Sequence, residues 1–231
     1  MSILAVIPAR GGSKGIPSKN IANLNGQPLI HYTIREALMI EGFQRVFIST
    51  DSPEIAEVCS SLGLEIPFLR PKSLGGDHIR TIDVVLDLLD RLEKDHNESF
   101  DQVCLLQPTS PLRLAQDILA CVDIMEAENP DSVVSLTQID EPHPGKMKKV
   151  VNGIIQPFMD GANSSIPRQE LPEVFELNGA IYITKTQVLR DQHSFFGEMS
   201  IPYLMPMERS VNINHPLDMK LASLLMGEDD A

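Results

Sequence analysis

Apolar residues open the chain as one continuous run, Ile3-Leu4-Ala5-Val6-Ile7, closed by Pro8. A short run without polar alternation reads as a strand buried on both faces, as in a parallel sheet. From Pro28 the spacing becomes helical, with Ile30, Ile34, Ala37 and Leu38 on one face. Arg45 to Thr50 returns to strand. Asp51 or Ser52 then caps a helix that has Pro53 in its first turn and Gly63 at its end. Glu65 to Leu69 reads as a further short strand. A third helix shows Ile82, Val85, Leu86, Leu89 and Leu92 on one side, and Val103 to Leu106 is the strand that follows. Ile118, Leu119, Val122 and Met125 mark a fourth helix, and Ser132 to Leu136 another strand.

This rhythm breaks between Gln138 and Leu177, where five prolines and scattered charge replace any clear helical period. The span reads as an insertion or arm, since connections this long are usually functional. Alternation resumes over Gly179 to Ile183, and Tyr203 to Met205 is a candidate strand. Leu217, Leu221, Leu224 and Leu225 predict the apolar face of a last helix. Strands alternating with helices predict an α/β fold with a mostly parallel sheet flanked by helices. The expected organisation is one domain made of residues 1–137 and 178–231, interrupted by an arm over 138–177.

Composition narrows the functional classes. With 231 residues, 42% hydrophobic and 22% charged, the chain has the size and make-up of one globular α/β domain. Its net charge of −13 argues against a general electrostatic grip on nucleic acid or on an anionic membrane. No apolar run approaches the ~18 residues of a membrane helix, and Met1 leads straight into a strand rather than a secretory leader. The three cysteines lack CxxC spacing and read as reduced core thiols, which predicts a cytoplasmic protein. The six histidines show neither HxxxH nor HExxH spacing, and no Gly-x-Ser-x-Gly elbow is present, so a zinc site and a serine hydrolase are disfavoured.

The charge is unevenly spread. Residues 1–35 hold Arg10, Lys14, Lys19 and Arg35 and no Asp or Glu, so the rest of the chain carries −17. Three of these cations lie in the loop after the first strand, Pro8-Ala9-Arg10-Gly11-Gly12-Ser13-Lys14-Gly15-Ile16-Pro17-Ser18-Lys19-Asn20. Open α/β sheets bind ligands beyond the carboxyl ends of their strands. Glycines let backbone N–H groups approach a phosphate, and the cations neutralise it. Neither GxxxxGK[ST] nor GxGxxG fits this loop.

The loop resembles the signature of the CMP-sialic acid synthetases, or acylneuraminate cytidylyltransferases, with their relatives for legionaminic and pseudaminic acids. The resemblance extends through Ser49-Thr50-Asp51, Arg70-Pro71 with Asp77, and Leu105-Leu106-Gln107-Pro108-Thr109-Ser110-Pro111-Leu112-Arg113. It continues in His143-Pro144-Gly145-Lys146, Arg168-Gln169-Glu170-Leu171-Pro172 and Asn178-Gly179-Ala180-Ile181-Tyr182-Ile183. It implies a Rossmann-like nucleotidyltransferase fold and attack of a nine-carbon acidic sugar's anomeric hydroxyl on the α-phosphate of CTP. Pyrophosphate then leaves, usually with Mg²⁺ taking part. The CMP-sugar product would serve a surface polysaccharide or glycoprotein.

By this resemblance Arg10, Lys14 and Lys19 hold the triphosphate, with Lys19 nearest the α-phosphate. Gly11, Gly12 and Ser13 offer donors to it, and Asn20 offers a donor and an acceptor. Arg70 and Thr81 face the nucleoside, although Arg70 also reads as a surface ion-pair residue. Gln107 orients the sugar acid or simply precedes a turn, and Arg113 braces the loop. The arm implies a homodimer in which Lys146 and Arg168 reach the partner's sugar carboxylate; plain surface charge is the other reading of both. Asn178 is carried over as a sugar-binding position.

Two departures stand out. Where the family usually has Ile-Asp-Ile-Asp-like carboxylates for Mg²⁺, this chain reads Val211-Asn212-Ile213-Asn214. The metal is then expected on Asn212, Asn214 and Asp218 or mainly on CTP oxygens. Glu176 stands where some sialic acid enzymes have a basic residue, which favours another nonulosonic acid. A Kdo-type cytidylyltransferase and a non-catalytic nucleotide- or sugar-binding homologue are the alternatives.

Overall fold

Successive residues of the first strand, β1 (Ile3–Pro8), enter two different cores. Ile3, Ala5 and Ile7 face one apolar layer, and Leu4 and Val6 face the other. Each fully buried Leu or Ile of this kind contributes about 1.5–3 kcal/mol. This computed structural model describes residues 2–159 and 165–228.

Around β1 lies a six-stranded sheet. Its other members are β4 (Phe43–Ser49), β5 (Gln102–Leu106), β6 (Ser132–Ile139), β9 (Val174–Lys185) and β10 (Ser200–Leu204). Their order is β10-β6-β9-β5-β1-β4. β1 runs parallel to β4 and β5, β10 parallel to β6, and β9 antiparallel to both of its neighbours. Two short strands, β2 (Asn23–Leu24) and β3 (Gln27–Pro28), make a separate hairpin.

Helices cover both faces. On one side α1 (Leu29–Leu38), α2 (Pro53–Ser61) and α4 (Ala115–Glu128) bring Ile30, Ile34, Ile55, Cys59, Ile118 and Met125 onto the sheet. On the other, α3 (Thr81–His96) and α5 (Thr186–Gln192) bring Ile82, Val85, Leu89, Leu92 and Leu189. A third cluster joins Leu24, Leu29, Tyr32 and Leu112 to Ile213 and Ala222, the last on α6 (Pro216–Glu228). Ser52 is the cap of α2: its Oγ accepts from the Ile55 N–H at 3.3 Å, with Pro53 next in line. Cys59, Cys104 and Cys121 are free and buried. Burial pushes the Cys59 and Cys104 thiols up to about 12.

Several expectations need correction. Glu65–Leu69 forms no ladder with the edge strand β4; it meets that strand through the Phe68–Phe47 ring contact and, just beyond, the Arg70 N–H to Thr50 carbonyl bond at 2.8 Å. Leu38 of α1 and Leu119 of α4 face solvent. Of the stripe assigned to the last helix, Leu217, Leu221 and Leu224 face outward, at 73%, 47% and 67% exposure, and only Leu225 faces in. It shares the inner face with Met219, Ala222 and Met226. The helix is apolar on two sides, so periodicity alone does not separate them.

The span 138–177 is more regular than its composition suggests. The β6–β9 ladder runs on through Gln138↔Phe175 to Ile139↔Val174. Beyond it, β7 (Lys148–Val151) and β8 (Ile154–Pro157) form an antiparallel hairpin. Asn152 and Gly153 close it at φ 53° and 79°, the left-handed pair that a two-residue hairpin turn favours. Val150 and Ile155 on this hairpin are each 70% exposed.

Candidate active site

The carboxyl ends of β1, β4 and β5 meet at one edge of the sheet, and the glycine-rich loop folds over them. The Ala9 N–H still donates to the Ser49 carbonyl at 2.9 Å, so the loop leaves β1 in register with β4. Gly11 follows, and its N–H donates to Asp51 Oδ1 at 3.1 Å. A Cβ at Gly15 would overlap the Asn214 carbonyl oxygen, so only glycine lets the two loops pack this closely. The loop ends at Ser18, in the left-handed region at φ 47°, and a single 3₁₀ turn over Lys19–Ile21. That turn aims Lys19 inward: its Nζ donates to the Ile213 carbonyl at 2.7 Å. Asn20, which is buried, donates from Nδ2 to the Arg10 carbonyl at 3.0 Å and holds the loop's shape.

Under this loop lies a cavity of about 290 Å³. Of the residues selected from the sequence, Arg10, Gly12, Ser13, Lys19 and Asn20 line it from the loop side. Arg70, Thr81 and Gln107 line it from the other walls. Arg70 is only 7% exposed; its Nη2 donates to Asp51 Oδ1 at 3.2 Å, while its buried Nε has no partner. Arg70 thus lines the cavity and is ion-paired, but as a buried residue rather than the surface one of the alternative reading. Thr81 is the first residue of α3. Gln107 lies one residue beyond β5, with its carbonyl held by Thr33 Oγ1 at 3.4 Å and Arg113 Nη1 at 3.3 Å.

Arg113 is a brace, as expected: it is fully buried and also donates to the Ala180 carbonyl at 2.7 Å. Its Nε and Nη2 find no partner, and burial lowers its pKa to about 10. On the other side of Gln107, β9 carries Gly179 at φ 76°. A Cβ there would stand 2.7 Å from Asn212 Nδ2 and 3.3 Å from Gln107 Oε1. The β6–β9 register shifts between Val134 and Leu136, and this irregularity beside the site lets Gly179 approach.

The remaining selected residues fall elsewhere. Lys14 points outward, 77% exposed, with its Nζ 2.8 Å from Asp77. Gly11 serves the loop's attachment to Asp51. Asn178 is 2% exposed and its amide is consumed inside the fold. Its Oδ1 accepts from Ser135 Oγ at 2.7 Å and the Ala180 N–H at 3.1 Å, and its Nδ2 donates to Ser210 Oγ at 3.1 Å. It supports the wall rather than facing a ligand. Lys146 stands on the arm with its Nζ 3.1 Å from Glu141, away from this cavity. Arg168 begins a 3₁₀ turn, and its side chain lies outside the described residues. Arg35 pairs with the adjacent Glu36 on α1, so three of the four early cations serve this edge, not all four.

Asn212, Asn214 and Asp218 do not converge on a metal site. Asp218 Oδ2 accepts from the N–H groups of Asn214 and His215, at 2.8 and 2.7 Å, and caps α6. Asn212 Nδ2 donates to the Asn178 carbonyl at 3.3 Å. Among the described residues no group of three His, Cys, Asp or Glu is placed to hold an ion. With neutral amides and a committed carboxylate, this donor set does not fit a protein-held Mg²⁺.

Sequence reading left two functional residues out of the site. Asp51 ties Gly11 to Arg70, and Asp77 lines the cavity with Oδ1 2.6 Å from Arg10 Nη1. Both sit in quoted motifs, yet a lone Asp carries no spacing signal of its own. The electrostatics follow from the packing. Burial, then the nearby Arg10 charge, lowers the pKa of Lys19, and burial lowers that of Arg70. A hydrogen bond from Lys14 leads the effects that hold Asp77 below the usual carboxylate range. Partly desolvated cations around a polar cavity suit a polyanion with in-plane acceptors.

Comparison with known proteins agrees with this geometry. A family model described as cytidylyltransferase matches residues 4–152. The chain is 37% identical over 230 residues to a CMP-N,N'-diacetyllegionaminic acid synthase of Legionella pneumophila, covering 98% of this chain and 97% of that one. It is 31% identical to a pseudaminic acid cytidylyltransferase of Campylobacter jejuni, covering 97% and 96%. An N-acylneuraminate cytidylyltransferase of Streptococcus agalactiae is 33% identical over 93% of this chain, which spans only 51% of that longer protein. Among solved structures, a CMP:2-keto-3-deoxy-manno-octonic acid synthetase complexed with CTP superposes with a TM-score of 0.73. It covers 99% of this chain and all of that one at 18% identity, a likeness of fold. The match over residues 4–152, together with relatives above 30% identity along nearly the whole chain, places the chain in the cytidylyltransferase family.

Proposed function

We propose that this protein condenses CTP with a nine-carbon acidic sugar of the legionaminic, pseudaminic or sialic acid type. The products are a CMP-sugar and pyrophosphate. The observation that carries this reading is the cavity in which Arg10, Lys19, Asn20, Arg70 and Gln107 meet beyond the parallel strands. Its relatives by name handle such acids.

The chemistry follows from the walls. The sugar's anomeric oxygen forms a bond to the α-phosphorus, the bond from that phosphorus to the β-bridging oxygen breaks, and the hydroxyl proton is lost. Negative charge develops on the α-phosphate oxygens and on the leaving pyrophosphate, and fixed cations stabilise it most where water is excluded. Lys19 supplies one such charge on a short tether, and Arg10 a second. Arg70's unpartnered Nε is a donor awaiting a nucleoside acceptor. Gln107, braced by Arg113, presents its amide to the sugar acid. For the Mg²⁺ that the family resemblance implies, the described residues offer no preformed set of carboxylates.

The arm supports a homodimer, with Lys146 and Arg168 acting on the partner's substrate. Val150 and Ile155 pair on one face of the hairpin and Val151 and Ile154 on the other; Val150, Ile154 and Ile155 are each more than 60% exposed, and such surface is usually covered. Buried, reduced cysteines support a cytoplasmic location, and no helix of the described residues is long and apolar enough to cross a membrane.

The test is pyrophosphate release from CTP with N-acetylneuraminic, legionaminic, pseudaminic and Kdo acids in parallel. Release with a nine-carbon acid is expected. Release with Kdo alone, or CTP binding with no release from any acid, overturns the reading.

A further inference from the structure

Asp77 places a carboxylate against two cations of the glycine-rich loop, Arg10 in the cavity wall and the exposed Lys14 beside it. Its Oδ1 lies 2.6 Å from Arg10 Nη1 and its Oδ2 2.8 Å from Lys14 Nζ, so each oxygen serves one cation. The loop that carries it joins two cavity residues, Arg70 and Thr81. That loop is fastened at its start, where the Arg70 N–H donates to the Thr50 carbonyl at 2.8 Å and a Cβ at Gly75 would overlap Asp51. Gly76 follows, where an added Cβ would meet Ile79 Cγ1 at 3.6 Å, and its carbonyl accepts from the Ile79 N–H at 3.2 Å in the turn that leads into α3. Asp77 itself is one third exposed. Across the same cavity Arg70 Nε is buried without an acceptor. Asp77 thus meets the cations of one wall, while on the other Arg70 is paired with Asp51 and only its Nε is left without an acceptor.

Resting on the nucleotide reading above, we propose that Asp77 is an internal stand-in for phosphate. It occupies Arg10 and Lys14 in the ligand-free protein and must be displaced before the triphosphate takes them. A triphosphate brings several charges and displaces it readily, whereas a nucleoside monophosphate competes poorly. Once pyrophosphate has left, the carboxylate returns to the cations and disfavours retention of the product. Asp77 thereby tunes affinity according to phosphate number, without touching the reacting atoms.

Calorimetric titration of the full chain tests this with three probes: CTP, inorganic tripolyphosphate and cytidine. Asp77→Asn and Asp77→Ser are compared with the wild type, after thermal melts establish that both fold. Two part-exposed ion pairs predict that both variants bind CTP and tripolyphosphate roughly threefold to tenfold more tightly. Cytidine, which has no phosphate to compete, should bind all three proteins alike. Unchanged or weaker tripolyphosphate binding in both variants overturns the proposal, as does an equal gain for cytidine. If the wild type binds CTP but Asp77→Asn binds it no better, the displacement idea alone fails. If neither protein binds CTP or tripolyphosphate, the nucleotide reading falls and takes this proposal with it.

Discussion

On the β4–β1–β5 side of the sheet the strands are parallel, five to seven residues long and closed over by helices on both faces. On the β9–β6 side they pair antiparallel, and β9 reaches 12 residues because its outer part leaves the helical layers. The first half ends in loops that hold Arg10, Lys19, Arg70 and Gln107 around a cavity. The second half ends in a hairpin that leaves Val150, Ile154 and Ile155 exposed. The contrast separates two demands. Phosphate chemistry needs cations on short tethers over a rigid floor, and contact with a partner needs surface carried clear of that floor.

The largest expected effect tests the cationic half alone. Lys19→Ala should lower turnover by about 100- to 1,000-fold, the usual loss when one fixed donor to a developing charge is removed. Stability should fall by only about 1 kcal/mol, the worth of its bond to the Ile213 carbonyl. Steady-state kinetics and a thermal melt read both; full activity would break the assignment of the site to this side. Gly179→Ala probes the seam between the halves. It forces a side chain into φ 76° and against Asn212, so a loss of about 2 kcal/mol is expected in denaturant unfolding. Gln107 would be displaced with it, so activity should fall further than stability accounts for.

The smallest effect on the fold belongs to the arm. Ile155→Asp, at a side chain already 70% exposed, should change monomer stability by less than about 0.5 kcal/mol. On the proposed homodimer through this hairpin, the variant should nevertheless be monomeric in sedimentation velocity where the unsubstituted protein is dimeric. An unchanged dimer would move the interface elsewhere, and the outward leucines of α6 would then be the next place to look.

How far the sequence could be read differs between the same two halves. β1 and most of β5 show themselves as apolar runs, and β4 through its Val46-Phe47-Ile48 stretch, because burial there leaves little room for polar residues. The glycine-rich loop is legible for a similar reason: close backbone approach and anion neutralisation restrict residue types. In the other half the constraints are relational. Asn178 looks like a ligand-binding amide, but its partners Ser135 and Ser210 are distant in sequence and decide otherwise. Glu65–Leu69 has strand-like composition yet makes no ladder with the edge of β4 beside it. The hairpin was available in Val150-Val151-Asn152-Gly153-Ile154-Ile155, a strong local turn signal masked by the prolines around it. Asp77 escapes because its meaning lies in two salt bridges that no spacing rule encodes.

One contact has a bearing on how the protein is made. Lys19 is held by a carbonyl 194 positions later in the chain, and Gly15 packs on the Asn214 backbone from the same late segment. During synthesis the first loop therefore leaves the ribosome long before the residues that shape it. A nascent chain can lay down β1, β4 and β5 and still have no formed pocket until residues 211–214 emerge. Catalytic competence then arrives in one late step, so a stalled or prematurely ended product would be folded in large part yet unable to consume CTP.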